Sequence, residues 1–240
     1  MPAARALIRK LESTFDLTAE ERRTIEDLPV RIRDVKAGES LVREGDRPTH
    51  CCMIIAGMAC RSKLADEEGG RQIMSFHVSG DIPDLQSLHL DVMDHDLGMI
   101  QVGKVAFIAH DDVKAMNERH SRIASALWRN TLIDAAIFRQ WMVGIGRKSA
   151  YGRVAHLICE LLMLARGVGL AEYTIERTPT QEELGDALGL SVVHMNRTLR
   201  ALRENGLIAL QGRRMNVLDW EGLQSAGKFD PAYLHLKTAA

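Results

Sequence analysis

Three side chains with base-reading chemistry, Val193, Asn196 and Arg197, share one side of a predicted helix. Arginine can bind guanine O6 and N7 with two hydrogen bonds in the major groove. Asparagine suits adenine, and an apolar side chain suits a thymine methyl group. No acidic residue occurs between Ser191 and Arg203, so this side of the helix is basic. We therefore predict a DNA-binding helix that contacts base edges through Val193, His194, Asn196 and Arg197.

Two short predicted helices hold these residues in place. Thr180 and Glu183 have the spacing of a capping box at the start of the first helix. Gly189 then supplies a tight break, and Ser191 can cap the second helix. The apolar face of the second helix repeats at helical spacing, through Met195, Leu199 and Leu202. This arrangement predicts a helix-turn-helix.

A predicted β-hairpin follows the second helix. Residues 207–210 and 215–218 are apolar stretches separated by a turn at residues 212–214. Such a hairpin is a wing, and arginines at its tip can contact backbone phosphates. The predicted phosphate contacts in this part of the chain are Thr180, Gln181, Ser191, Arg200, Arg213 and Arg214.

Length and composition indicate a globular protein of two domains. The chain has 240 residues, of which 46% are hydrophobic, and its formal net charge is -1. A sequence-specific DNA-binding protein needs only a local basic patch, so near-neutrality does not oppose the helix-turn-helix. The sequence has four cysteines, no signal-peptide pattern and no apolar run that would span a membrane. We expect a cytoplasmic protein without a membrane partner.

The N-terminal half has the pattern of an antiparallel β-protein. Two short helices are predicted before residue 28, and from Val30 onward short apolar stretches alternate with turn residues. Many short strands at this spacing predict a sandwich or barrel. The glycines that separate the strands are Gly38, Gly45, Gly57, the pair Gly69 and Gly70, and Gly80.

Residues 111–147 form the longest predicted helix, and it carries two apolar seams. One seam can pack on the β-barrel, and the second leaves a face for the same helix of another chain. Gly144 and Gly146 are predicted to interrupt the helix and form a hinge. The neighbouring seam contains Ala124, Trp128, Thr131, Ala135, Phe138 and Met142. The predicted dimer interface is the seam of Ile123, Leu127, Asn130, Asp134, Ile137 and Trp141.

Taken together, these features resemble the Crp/Fnr family of bacterial transcription regulators. The glycine motifs at residues 36–38, 44–46, 55–57, 70–73 and 80–82 and the segment 180–208 carry the resemblance. It implies an α+β fold: an N-terminal antiparallel β-roll like a cyclic-nucleotide-binding barrel, a long dimerisation helix and a C-terminal winged helix-turn-helix. The corresponding ranges are 1–110 for the sensor β-roll with its N-terminal helices, 111–147 for the dimerisation helix and hinge, and 148–240 for the DNA-binding domain.

The resemblance also implies a function. The chain is expected to be a homodimer that binds double-stranded DNA at a near-palindromic operator, with RNA polymerase as a further partner. It is not expected to be an enzyme. Family members commonly carry an acid early in the recognition helix, where this chain has Val192 and Val193, so its sequence preference should differ.

The effector loop departs from the pattern of members that bind cyclic nucleotides. Those members use an arginine to neutralise the phosphodiester, and this chain has no arginine between Arg71 and Arg119. Acids in this region would repel a phosphate. The degenerate effector loop comprises Gly80, Asp81, Asp84, Asp94, His95 and Asp96. A cyclic-nucleotide-binding module therefore stays as an alternative, and the effector is unknown.

No cofactor is predicted, although other sensors of the family use an iron–sulfur cluster or haem. A cluster needs four thiolates close together, and the four cysteines, Cys51, Cys52, Cys60 and Cys159, are scattered. The more economical interpretation is that they are buried apolar residues. The candidate haem ligands are His50, His77, His89 and His95. A divalent metal could instead be held by His89 and His95 with Asp91, Asp94 and Asp96. A β-roll metalloenzyme is the less favoured alternative, because the chain has no His-x-His pair.

Overall fold

The computed structural model describes residues 2–65 and 70–237, so Gly69 of the predicted glycine pair lies outside the described residues. The chain divides into two compact units. The first comprises Met1–Lys63, Met74–Asp134 and Leu236–Ala240, and the second comprises Leu64–Ile73 and Ala135–His235. Among the described helices, none combines the length and the apolar character that crossing a bilayer requires.

The first unit is an antiparallel β-roll preceded by helices α1 (Pro2–Glu12) and α2 (Ala19–Glu26). Its strands form two sheets, ordered β1-β7-β3 and β2-β6-β4-β5. A short 3-10 helix, Leu85–Leu88, precedes β6. The predicted fold class is confirmed. The strands are β1 (Arg31–Val35), β2 (Ser40–Val42), β3 (His50–Ala56), β4 (Ala59–Leu64), β5 (Arg71–His77), β6 (Asp96–Met99) and β7 (Gly103–Ala109).

Alternation along β3 separates two apolar cores. Successive side chains of a strand point to opposite faces, so Cys51 and Cys52 face different surroundings. Cys51 packs in the core that contains Leu11 of α1, whereas Cys52 packs with Leu97 and Val105 in the core between the sheets. Because β3 is buried on both faces, a one-residue slip against β7 would exchange the side chains of the two cores.

The long helical run is divided differently from the prediction. Helix α3 spans His110–Arg119 and α4 spans Ser121–Arg147, because His120 leaves the helical region at φ −130° and ψ 81°. Gly144 and Gly146 lie within the continuous helix α4, so the interruption predicted at these glycines is wrong. The chain leaves the helix just after Arg147, and Ser149 then caps the next helix.

The structure also corrects the choice of seam on α4. Ile123, Leu127, Ile137 and Trp141 are buried within the single chain, so they are not available to a second chain. The carboxylate of Asp134 is likewise engaged by the same chain, through Arg61. The neighbouring seam is the exposed one. Its large apolar side chains, with Leu132 beside them, are Trp128, Phe138 and Met142.

The second unit contains the predicted winged helix-turn-helix. Helix α5 (Ala150–Gly167) is its most buried helix among those described, and it is followed by α6 (Gln181–Leu188) and α7 (Val192–Glu204). A small sheet, ordered β8-β10-β9, forms the wing. The remaining elements are β8 (Thr174–Ile175), β9 (Ile208–Gln211), β10 (Arg214–Val217), α8 (Trp220–Gly227) and a 3-10 helix, Pro231–Leu234.

The C-terminal segment packs into the second unit. Leu223, Phe229 and Leu234 are buried, and α8 packs along α5. The hydroxyl of Tyr233 donates to the buried carboxylate of Glu160 on α5. This packing makes the segment part of the second unit's core.

We predict that Gly144→Ala stabilises the protein. Gly144 lies inside α4, and a Cβ there would meet no heavy atom within 4 Å. Replacing a helical glycine with alanine should raise the free energy of unfolding by about 0.5–1 kcal/mol, measured by urea denaturation with circular dichroism.

The matched control is Gly80→Ala. Gly80 has φ +91°, and a Cβ there would lie 2.4 Å from the carbonyl oxygen of Ala6, so this variant should lose at least about 1 kcal/mol. A loss of stability at Gly144 would show instead that the glycine is needed for bending.

Candidate nucleic-acid interface and effector region

Helix α7 presents the predicted base-reading residues to solvent. Ser191 caps it, since the Ser191 hydroxyl oxygen accepts from the His194 N–H at 3.3 Å. Val193 is 82% exposed, and Asn196 and Arg197 are also exposed. His194 is half-buried and so is less accessible than the other three. The opposite face, with Met195, Leu199 and Leu202, is buried in the second unit.

The turn before α7 follows the predicted capping pattern. The Thr180 hydroxyl oxygen accepts from the Glu183 N–H, and the Glu183 carboxylate accepts from the Thr180 N–H. Gly189 ends α6 with φ +62°, a left-handed conformation that favours glycine. Gln181 is half-buried at the first position of α6. The hydroxyl oxygens of Thr180 and Ser191 therefore act as helix caps, while their O–H groups remain donors for a phosphate.

Arg200 has an acidic partner that the sequence reasoning missed. Its Nε donates to Glu204 Oε1 at 2.7 Å, one helical turn further along α7. This hydrogen bond and the charge of Glu204 raise the pKa of Arg200 above its usual value. The signal was present in the sequence as an i,i+4 pair of opposite charges. Because the pair is exposed, a phosphate can compete with Glu204 for the guanidinium.

Both arginines at the wing tip have partners within the chain. Arg213 Nε and Nη2 donate to the carbonyl oxygen of Thr178 at 2.9 and 2.7 Å, and Thr178 N–H donates back to the Arg213 carbonyl. Arg214 pairs with Glu176 at 3.2 Å. The Arg213 guanidinium therefore joins the wing to the segment before α6, and its contact with a phosphate stays a prediction.

The acids of the predicted effector loop differ in exposure and in their partners. Asp81 is buried and pairs with Lys10 of α1 at 2.6 Å. Burial opposes its ionisation, but the charge of Lys10 and the contact with His77 outweigh burial, so the pKa of Asp81 lies well below its usual range. Asp94 is exposed and bonds to His95, while Asp96 accepts from the backbone N–H of Glu44.

Asp84 is a buried acid of this region that forms no ion pair with the described residues. Both of its carboxylate oxygens accept from the backbone N–H of Cys52, at 2.8 and 3.0 Å. Burial raises the pKa of Asp84 to about 6, although the Cys52 bonds and the charge of Arg61 favour the ionised form. Asp84 therefore joins β3 to the segment that precedes the 3-10 helix.

An arginine does reach the effector loop, and it comes from β4. Arg61 Nε donates to the carbonyl oxygen of Pro83 at 2.8 Å, and Arg61 Nη2 also donates there. Arg61 Nη1 donates to Asp134 Oδ2 of α4 at 2.5 Å. The absence of arginine between Arg71 and Arg119 did not reveal this cation, because β4 precedes that interval in the chain.

The cysteines do not fit an iron–sulfur cluster. Cys51 and Cys52 lie in different cores, and Cys159 lies in the second unit. Burial raises the pKa of the Cys51 and Cys52 thiols above the usual range and that of Cys159 to about 12, so all three are held as thiols rather than thiolates. Cluster iron binds thiolates that converge on one point, and these side chains do not converge.

Two candidate histidines of the β-roll, His77 and His95, are engaged by neighbours. The buried His77 ring bonds to Ser75 Oγ at 2.8 Å, and His95 bonds to Asp94 at 2.7 Å. Burial lowers the pKa of His95, with Asp94 acting in the opposite direction. Across residues 2–65 and 70–237, no three His, Cys, Asp or Glu side chains gather in an arrangement able to hold a metal ion.

Known proteins are similar to this chain in both sequence and fold. A family model described as a Crp-like helix-turn-helix domain matches residues 152–226. Transcriptional activator protein FnrL of Cereibacter sphaeroides is 28% identical over 204 residues, which cover 82% of this chain and 79% of that protein. Transcriptional activator protein Anr of Pseudomonas aeruginosa is 24% identical over 205 residues, covering 85% and 84%.

A solved structure supports the same fold. FixK2 from Bradyrhizobium japonicum superposes with a TM-score of 0.74 at 21% identity, covering 89% of this chain and all of that one. A β-roll, a long helix and a winged helix-turn-helix define a class of DNA-binding transcription regulators. These similarities support a regulator of the Crp/Fnr type, and the family model itself matches residues 152–226 of this chain. Its curated relatives are named as regulators of transcription and not as enzymes.

The raised pKa of Asp84 predicts a pH-dependent stability. The folded state binds the Asp84 proton more tightly than the unfolded state does, so this contribution is full below about pH 4. It is lost as the pH rises to about 6. Relative to Asp84→Asn, the wild-type protein should lose up to about 3 kcal/mol of unfolding free energy over this interval.

Urea denaturation of both proteins at several pH values between 4 and 8 measures this difference. Other titrating groups are common to the two proteins and cancel. A wild-type-minus-variant difference that stays constant with pH would contradict the prediction.

Proposed function

We propose that this chain acts as a homodimer that regulates transcription by placing two α7 helices in the major groove of a near-palindromic operator. The observation that carries the proposal is the exposed face of α7, which offers hydrogen-bonding and apolar groups together on a capped, packed helix. Two-fold symmetry would place the half-sites about one turn of DNA apart.

Arg197 is the strongest candidate for base recognition. Arg200, Arg213 and Arg214 all have acidic or carbonyl partners, whereas Arg197 has no acidic partner among the described residues. Its guanidinium is therefore available for guanine without first breaking an ion pair. Val193 supports the same role, because a large exposed apolar side chain at the start of α7 would bury itself on a thymine methyl group.

Phosphate contacts would fix the position of α7 in the groove. The O–H groups of Thr180 and Ser191 lie at the starts of α6 and α7, where backbone N–H groups also favour an anion. Gln181 adds an amide, and Arg200 contributes once a phosphate replaces Glu204. Arg214 is exposed on the wing, whereas Arg213 chiefly supports the wing's attachment.

The exposed seam of α4 supports the homodimer. We call Trp128, Leu132, Phe138 and Met142 the exposed α4 stripe, and their spacings of four, six and four residues keep them along one side of the helix. Trp128 is 63% exposed. A row of large apolar side chains in water is unfavourable, and the same stripe on a second copy would cover it with the knobs-into-holes packing of a coiled coil.

The β-roll would act as the signal or effector domain of this regulator. RNA polymerase is a further expected partner, and the cytoplasm is the expected compartment. The alternative of a cyclic-nucleotide-binding module is disfavoured because the guanidinium that reaches the effector loop, Arg61, already binds a carboxylate. Calorimetric titration with cyclic AMP and cyclic GMP tests that alternative, and tight saturable binding would support it.

Arg197→Ala should weaken operator binding. The duplex is first selected from a random pool with the wild-type protein. Loss of a bidentate guanine contact should then reduce affinity by about 1–3 kcal/mol, roughly 5- to 150-fold, and relax base preference at one position. Fluorescence anisotropy at fixed salt measures the change.

The matched control is Arg23→Ala, since Arg23 is exposed on α2 and the charge change is the same. The melting temperature of the Arg197 variant should stay that of the wild type. Equal affinities for the wild-type and Arg197→Ala proteins would exclude Arg197 from the interface.

Leu132→Glu should dissociate the dimer. A carboxylate at the centre of the exposed α4 stripe would be buried without a cationic partner, at a cost of several kcal/mol. Sedimentation analysis should show a dimer for the wild type and a monomer for the variant. Ile32→Glu, an exposed apolar site on β1, is the control and should remain dimeric. A monomeric wild-type protein would contradict the proposal.

A further inference from the structure

The side chain of Arg61 forms a compact anion site inside the first unit. It extends from β4, its exposed fraction is 19%, and its three donor nitrogens all have acceptors. Nε and Nη2 donate to the carbonyl oxygen of Pro83, which leaves Nη1 for a charged acceptor. A guanidinium removed from water to this degree requires an anion to offset its lost hydration.

The anion present is Asp134, the carboxylate that α4 contributes. The sequence of α4, residues 121–147, contains no acid besides Asp134 but has Arg122, Arg129, Arg139 and Arg147. Asp134, the one acid in the sequence of α4, therefore lies at the position that contacts Arg61. The two side chains are similarly shielded, at 19% and 24% exposure, so solvent screens them less than the surface pairs of this chain.

A single guanidinium thus connects three elements of the first unit. Arg61 belongs to β4, Pro83 lies in the effector loop, and Asp134 lies on α4. The charge of Arg61 also acts on buried Asp84 and on His95, so the site is set among further polar groups of the same region. Binding one carboxylate here fixes the effector loop and α4 to the sheet together.

We propose that Arg61 is a carboxylate-binding site that this chain fills with its own Asp134, which attaches α4 to the β-roll without an added effector. An external ligand of this site must carry a carboxylate or phosphate and must displace Asp134. The site itself does not depend on DNA binding. Its regulatory consequence, a fixed α4 in the dimer, rests on the proposed function.

Chemical rescue tests the site. Asp134→Ala removes the carboxylate and leaves space for formate, so thermal unfolding of the full chain is measured with sodium formate and with sodium chloride at equal ionic strength. The melting temperature of the variant should be roughly 3–8 °C below that of the wild type in chloride. Formate should restore at least half of that loss along a saturable curve, and chloride should not.

Two controls separate the site from general effects of charge. Asp34→Ala makes the same charge change in the exposed pair with Lys104, and it should show neither the loss nor the response to formate. Arg61→Gln combined with Asp134→Ala should abolish the response to formate. A response that is equal for formate and chloride, or an Asp134→Ala protein that melts like Asp34→Ala, would overturn the proposal.

If Asp134→Ala does not fold, two substitutions that preserve side-chain size replace it in the test. Arg61→Gln and Asp134→Asn preserve side-chain size, and the double variant should melt no lower than the less stable single variant, because both remove the same bond. Additive losses would overturn the proposal. Since every measurement is made without DNA, a positive result stands even if no duplex is bound. Failure to bind DNA would contradict the proposed function alone.

Discussion

Helix α4 carries more apolar surface than its own chain covers. The uncovered apolar side chains are available for contact with another molecule. One face buries Ile123 and Leu127 in the core shared with the N-terminal helices. The stripe through Trp128 and Leu132 remains in water. Burial of apolar surface is worth about 25 cal/mol per Å², so a second copy of the stripe is an effective cover for it. In the proposed homodimer, the face of α4 that its own chain leaves exposed would form the contact.

The sequence predicted the helix-turn-helix well because its signals are local. The capping box at Thr180 and the cap at Ser191 each involve residues three apart, and the structure contains both. The glycine turn at Gly189 is equally local. Such interactions depend on a few neighbouring residues, and distant parts of the chain change them little.

The choice between the two seams of α4 was not predictable in the same way. Both seams are apolar at helical spacing, and distant strands decide which one is buried. Asp134 was predicted to lie in the dimer seam, but its partner Arg61 lies 73 residues earlier in the chain. Gly144 and Gly146 weaken a helix only slightly, by about 1 kcal/mol each, and the rest of α4 continues through them.

The partners of the arginines were also not predictable from the sequence, because several of them are distant in the chain. The sequence shows how many arginines a segment contains. Only those whose guanidinium groups have no partner in the protein are available to bind DNA or a ligand. Arg213 looked exposed in a turn, yet its guanidinium is held by the carbonyl of Thr178. Arg61 was overlooked because it approaches the effector loop from another strand. Arg197 was correctly placed on an exposed face because helical spacing alone sets its direction.

The end of α4 is fixed by buried polar bonds and not by a flexible glycine joint. The Trp141 indole N–H donates to Glu160 of α5 at 2.7 Å, and Tyr233 donates to the same carboxylate. Lys148, where α4 ends, donates to His156 of α5 at 2.7 Å. Burial and the charge of Lys148 lower the pKa of His156 to about 4, so the neutral ring accepts this bond.

Each of these groups would be costly to leave unpaired in the interior, so bending at this junction requires several bonds to break together. The path from α4 into α5 is therefore set by Glu160 and His156. In a dimer formed through the exposed α4 stripe, this rigid junction would pass the geometry of the paired α4 helices on to α5. A signal that repositions α7 would then have to act through the packing of α4 itself.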